Sequence, residues 1–154
     1  MATSFACSVG EEPRARRVAP GKGFSGESAD DSLNKRILIV EDETLIALDL
    51  QAIVLAAGYP LAGVAQDGAQ AHRLASEARP SLVIMDIRLA RGSDGIEAAK
   101  QIFESFGIRS VFLSAHLDAE TRARAVVANP HALLSKPIEP NALLQVIARA
   151  FGDG

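Results

Sequence analysis

Five residues that can act together on a phosphoryl group occur in a fixed order along this chain. Glu41 and Asp42 follow an apolar run, Asp86 follows a second, Ser114 ends a third, and Lys136-Pro137 follows a fourth. Clustered carboxylates repel one another and favour a divalent cation between them. An all-oxygen donor set with few protein ligands suits Mg2+, which keeps waters and takes a substrate phosphate. A carboxylate can also be the nucleophile, forming an aspartyl phosphate. The transferred group spreads charge over its equatorial oxygens, where a cation, a Lys ammonium and a Ser hydroxyl can stabilise it. Each of those roles has a candidate here, provided the fold brings the residues to one place.

The elements between them show how. Short apolar runs lie at Arg36–Val40, Leu61–Gln66, Leu82–Met85, Arg109–Leu113 and Ala132–Ser135. Helical periods fill about 43–57, 68–78, 95–106, 118–128 and 140–151. Strict alternation of this kind predicts (βα)5, a parallel sheet with helices on both faces. ILIV at 37–40 and LVIM at 82–85 are apolar without alternation, as strands buried on both sides require. Gly58 is placed to close the first helix. Asp94 and Glu97 have capping-box spacing for the third. In doubly wound sheets ligands bind beyond the carboxyl ends of the strands, which is where all five chemical residues fall.

Glu41 and Asp42 could instead cap the first helix and favour its dipole. Asp86 alone would be an ordinary turn residue, Lys136 a surface lysine, and Ser114 a loop serine without a role. Their joint placement at strand ends makes those readings insufficient. His72, His116 and His131 lack metal-site spacing. His72 is expected to be solvated on its helix, while His116, two residues past Ser114, is expected near the site. The first helix carries two apolar stripes, Ile46, Leu50, Ile53 and Ala57 on one side, and Leu45, Leu48, Ala52 and Leu55 on the other. A sheet covers only one, so the second predicts either a broad buried face or a partner surface.

Composition is that of one globular domain: 154 residues, 48% apolar, 23% charged. A formal net charge of −3 gives no bulk electrostatic case for nucleic acid. No apolar run reaches the length of a bilayer span, and Met1–Gly10 makes a poor signal peptide. The lone Cys7 allows no internal disulfide. Residues 1–34, punctuated by Gly and Pro, read as a disordered tail. Arg14, Arg16 and Arg17 offer the alternative of a docking arm. Residues 35–152 form the folded domain.

Over that span the pattern resembles the receiver domain of bacterial two-component response regulators. The carriers are Glu41-Asp42, Asp86, Ser114 and Lys136-Pro137, with separations of 44 residues from Asp42 to Asp86 and 50 from Asp86 to Lys136. The phrases VEDETLIALDL, MDIRLARGSDGIEAA and FLSAH resemble single-domain receivers common in alphaproteobacteria and often paired with HWE-type sensor kinases. The resemblance implies a flavodoxin-like sheet of order 2-1-3-4-5 in a cytoplasmic signalling protein. It implies that Asp86 accepts phosphate from a histidine kinase or histidine phosphotransfer protein. It further implies that Mg2+ is bound by Asp42, Asp86 and the backbone carbonyl of Arg88, with Glu41 acting through water. Lys136 would pair with Asp86 and then with the phosphoryl oxygens, Ser114 would turn toward the modified aspartate, and the Lys136–Pro137 peptide would be cis. Arg88 and His116 would shape access of water to the phosphate. The first helix would dock on the kinase, a downstream protein would read the signal, and the molecule would be a monomer or pair through its helix 4, strand 5 and helix 5 face.

One position departs from the pattern. Many members carry Tyr or Phe three residues before the lysine; here it is Leu133, preceded by an unusual Asn129-Pro130-His131 turn. Two rivals follow from the same residues. A haloacid-dehalogenase phosphatase would need a second acid two residues past the nucleophile, where Arg88 stands. A phosphorylation-independent binding module of the same fold would keep the architecture without the chemistry.

Overall fold

The computed structural model describes residues 34–152. The expected disordered tail lies outside them, apart from Asn34. Five parallel strands form one sheet in the order β2-β1-β3-β4-β5. They are β1 (Ile37–Val40), β2 (Leu61–Ala65), β3 (Leu82–Asp86), β4 (Ser110–Ser114) and β5 (Ala132–Ser135). The helices are α1 (Thr44–Ala56), α2 (Gly68–Ala78), α3 (Gly95–Phe106), α4 (Ala119–Ala125) and α5 (Pro140–Ala150). The architecture is the doubly wound (βα)5 sheet that the sequence predicts.

Because successive strand residues face opposite sides, each central strand feeds two cores. Ile37, Ile39, Leu82, Ile84, Val111 and Leu113 pack with Leu50 and Val54 of α1 and Leu143, Val146 and Ile147 of α5. Leu38, Val40, Val83, Met85 and Phe112 pack against α2, α3 and α4 through Ala71, Ala75, Ile96, Ile102 and Ala125. Burial on both faces explains the unbroken apolar runs.

Several local expectations change in detail. The predicted fourth helix breaks into α4 and a 3-10 turn over Val126–Ala128, ended by Asn129 at φ +49. Gly58, at φ +94, does follow the end of α1. Asp94 caps α3, its carboxylate accepting from the Ile96 amide, but Glu97 does not reciprocate, because its carboxylate accepts from Gln101 Nε2 at 3.2 Å. His72 is half-buried, not solvated: its ring lies 5.2 Å from that of Phe106 across the α2–α3 contact. On α1 the sheet covers Ala47, Leu50 and Val54, with Ile46 and Ile53 at the margin, while Ala57 is exposed.

Candidate functional site

Strand register brings the chemical residues to one edge. Val40 pairs with Met85, so Glu41 follows beside Asp86; Asp86 pairs with Leu113, and Ser114 with Ser135, which Lys136 follows. Backbone bonds continue the sheet pattern just past the strands. The Glu41 amide donates to Ala65, the Ile87 amide to Leu113 and the Lys136 amide to Ser114, all at 2.9–3.0 Å. The site therefore stands on the rigid sheet, and only its outer wall is loop.

Lys136 Nζ lies 3.0 Å from Glu41 Oε2 and 3.1 Å from Asp86 Oδ2. The Lys136–Pro137 peptide is cis. The expected Lys136–Asp86 pair is present, but Glu41 shares the ammonium, which sequence reasoning missed. Glu41 also accepts from the Glu43 amide at 3.1 Å, just before α1 begins. This contact recovers part of the capping alternative, since α1 has no side-chain cap at Glu43.

Glu41 and Asp86 are 1% and 5% exposed. Burial pushes the Glu41 carboxyl above the usual carboxylate range. The Glu43 amide and Lys136 pull it back, and the Asp86 charge pushes it up again. Lys136 has the opposite balance. Burial works against its charge, but the bond to Glu41 and the charges of Asp86 and Glu41 prevail and hold it above the ordinary lysine value.

One carboxylate oxygen from each of Glu41, Asp42 and Asp86 lies within 4.8 Å of the others. Three carboxylates against one ammonium leave two formal negative charges, which a divalent cation would neutralise. The donors are hard oxygens, and Asp42 is only half-buried, so waters can complete a shell. The donor set thus fits Mg2+ or a similar ion. Beside it, the Arg88 amide donates to Asp86 Oδ1 at 3.2 Å. Asp42, Asp86, Arg88, Ser114 and Lys136 line one cleft of 250 Å3.

Ser114 is buried, and its hydroxyl faces the following loop. Oγ donates to the His116 carbonyl at 2.9 Å and accepts from the His116 amide at 3.0 Å. The exposed His116 lines the neighbouring cleft together with Ser114 and Arg88.

The arrangement matches a known family. Residues 37–148 fit the model of the response regulator receiver domain. The chain belongs to that family. The phyllosphere-induced regulator PhyR of Methylorubrum extorquens is 35% identical over 128 residues, covering 82% of this chain and 47% of that protein. Transcriptional regulatory protein PdtaR of Mycobacterium tuberculosis is 38% identical over 122 residues, covering 79% and 59%. The chain spans about half the length of these curated relatives. Among solved structures, the signal receiver domain of a modulated diguanylate cyclase from Desulfovibrio desulfuricans G20 superposes with a TM-score of 0.71 at 33% identity, covering 76% of this chain and 93% of that one. Receivers are signalling modules of two-component systems. Among the described residues of this one, no helix is long and apolar enough to cross a membrane.

Gly95 also belongs to this receiver's site, although sequence reading passed over it. A Cβ there would overlap the carbonyl oxygen of Asp86 and stand 2.9 Å from Ile87 Cα. Its amide donates to the Ile87 carbonyl at 2.8 Å. The first turn of α3 therefore presses directly on the backbone of the candidate acceptor. The signal was available as a glycine directly after Asp94, of which the sequence reading used only the aspartate, as a helix start.

Proposed function

We propose that this receiver accepts a phosphoryl group on Asp86 from a phosphohistidine of a sensor histidine kinase or histidine phosphotransfer protein. It then signals in the cytoplasm by protein contact or by passing the group on. The observation that carries the reading is the convergence of Asp86, Lys136, Glu41 and Asp42 at one sheet edge, with Asp86 buried yet lining an open cleft.

A carboxylate oxygen of Asp86 attacks phosphorus, a P–O bond forms and the P–N bond to the donor imidazole breaks. The leaving nitrogen takes a proton from solvent. Lys136, already 3.1 Å from Asp86, supplies positive charge to the phosphoryl oxygens as they crowd the carboxylate. Glu41 keeps that ammonium in place and protonated. Asp42 and Asp86, with the Arg88 carbonyl, would hold Mg2+ directly, and Glu41 through water. When bound, the ion supplies neutralising charge to the transferring group. Ser114 turns from the His116 backbone to donate to a phosphoryl oxygen, and Arg88 and His116 at the cleft wall limit attack by water. Turnover of small phosphate esters is not expected, because Arg88 stands where a phosphatase of the rival type needs an acid.

The exposed stripe of α1 suits kinase docking. Leu45, Leu48 and Leu55 are 80%, 54% and 53% exposed, and a helix left apolar on its outer side needs a second cover.

Incubation with acetyl phosphate and Mg2+, followed by intact mass measurement beside Asp86→Ala, tests the proposal. An adduct on the wild type alone, abolished by EDTA, is the expected result. No adduct, even with a kinase donor, would overturn it and favour the phosphorylation-independent module instead.

A further inference from the structure

A second cleft, of 480 Å3, opens beside the acceptor, between the segment Ile87–Asp94 and the β4–α4 loop with α4. One ion pair spans it. Arg124 Nη2 of α4 lies 2.5 Å from Asp94 Oδ2. Asp94 has two further duties. Its Oδ1 accepts from the Ile96 amide at 2.9 Å to cap α3, and its backbone pairs with Arg88 in an isolated antiparallel bridge. The Arg88 amide in turn donates to the Asp86 carboxylate. A continuous chain of contacts thus runs from the acceptor through Arg88 and Asp94 to Arg124 on α4.

A second route reaches the same helix. Ser114 holds His116 by a reciprocal pair of bonds, and two residues on, Asp118 caps α4 by accepting from the Thr121 amide at 2.8 Å. A hydroxyl has one proton to donate. If Ser114 gives it to a phosphoryl oxygen on Asp86, the His116 carbonyl loses its bond and the loop before α4 loosens. The Arg124–Asp94 pair is then a remaining polar tie between α4 and the acceptor loop. Leu133, where an aromatic ring often sits, is partly buried and packs against the core cluster that includes Ala125 and Ala128.

We infer that Arg124 is a positioning residue, latching α4 to Asp94 in the resting molecule, and that phosphorylation of Asp86 works against this latch through Ser114. The inference rests on the proposed phosphorylation. Both partners are about half exposed, with side chains 48% and 40% accessible, so the tie is weak enough to be broken. By linkage, a change that opens the latch favours whichever state phosphorylation favours.

The test uses Arg124→Gln, Arg124→Lys and Asp94→Asn, the last chosen because Asn still caps a helix. Labelling of Asp86 by acetyl phosphate at saturating Mg2+ is followed by intact mass, and amide exchange of residues 119–125 is measured without phosphodonor. Arg124→Gln and Asp94→Asn are each expected to speed labelling by about 1.5- to 5-fold, the span that an exposed ion pair can supply. Their exchange should quicken to a similar degree. The double variant should match either single one, as two halves of one contact must. Arg124→Lys should lie near the wild type. Faster exchange with unchanged labelling would make the pair merely structural and overturn the inference, as would wild-type behaviour in both measurements. A wild type that takes no phosphoryl group overturns the phosphorylation reading itself, and the latch's signalling role with it.

Discussion

Adding one methyl group at Gly95 should damage this receiver more than the same change at any exposed turn glycine. The Cβ of Gly95→Ala would overlap the Asp86 carbonyl oxygen and lie 2.9 Å from both the Asp86 carbonyl carbon and Ile87 Cα. All three atoms are backbone, at the end of a central strand whose residues are buried, so no side chain can swing away. The first turn of α3 must retreat, and the 2.8 Å bond from the Gly95 amide to the Ile87 carbonyl lengthens with it. Overpacking of this kind costs about 1–3 kcal/mol, and a weakened buried hydrogen bond about 0.5–1.5 kcal/mol more. A loss of about 2–4 kcal/mol follows, readable as a lower urea midpoint at unchanged slope. Gly92→Ala is the control. Its φ of +73 carries a backbone strain of about 1 kcal/mol, but nothing lies within 4 Å of its Cβ. The displaced helix should also move Asp86, so labelling by acetyl phosphate should slow in Gly95→Ala and not in Gly92→Ala. A Gly95→Ala protein as stable as Gly92→Ala would refute the close-approach argument.

In metal-free buffer, Glu41→Gln should raise stability at neutral pH. Burial, first, and then Asp86 raise the Glu41 pKa in the folded state, so the folded protein holds that proton more tightly than the unfolded chain. Stability from this group is full below the unfolded value of 4.5 and is lost as pH rises through the folded pKa. The Gln variant should therefore gain on the wild type above pH 5 and lose that gain in acid, as urea titrations across pH will show. Mg2+ should raise the melting temperature of the wild type, by an amount equivalent to about 2.7 kcal/mol at a hundred times its Kd, and much less in Asp42→Asn. Leu48→Glu, at a half-exposed position, should change stability by no more than about 0.5 kcal/mol. It should slow transfer from a kinase while leaving labelling by acetyl phosphate intact. Imidazole resonances should show His131 titrating below the usual histidine range, because burial and then the Arg109 charge oppose its protonation.

The fold was legible because its signals are redundant. Each strand is an apolar run with a helix period after it, and strand register then carries residues far apart in sequence to one edge without further information. Asp86, Ser114 and Lys136 could be placed at that edge from that rule alone. What escaped were contacts that depend on side-chain reach across the sheet. Nothing in the spacing of Glu41 and Lys136 says that the lysine divides itself between two carboxylates, because the choice is made by burial, which leaves Glu41 no other cation among the described residues. The Asp94 cap was visible, but its partner was not. Glu97 is local and was expected to close the box, whereas Arg124, thirty residues on, takes the other oxygen. The solvated reading of His72 failed for a related reason, since Phe106 on the adjacent helix turns an outward position into a contact.

The two kinds of legibility divide along function. The candidate chemical residues sit at strand ends, where the sheet fixes them and sequence order betrays them. Residues that would relay the outcome sit on helices and loops, where position depends on packing. Asp86 cannot move far, since the Asp86 backbone is pressed by Gly95 and its carboxylate is held by Lys136 and the Arg88 amide. A charge change at so rigid a centre has to be expressed by its softer neighbours. The softest polar contacts in the walls of the neighbouring cleft are the Ser114 pair with His116, which leads into α4, and the half-exposed Arg124–Asp94 bridge, which ends on it. That helix is only seven residues long and gives way directly to a 3-10 turn. Short helices draw their stability from tertiary ties more than from their own cooperativity, so loss of one or two ties should move α4 before any other element of the fold.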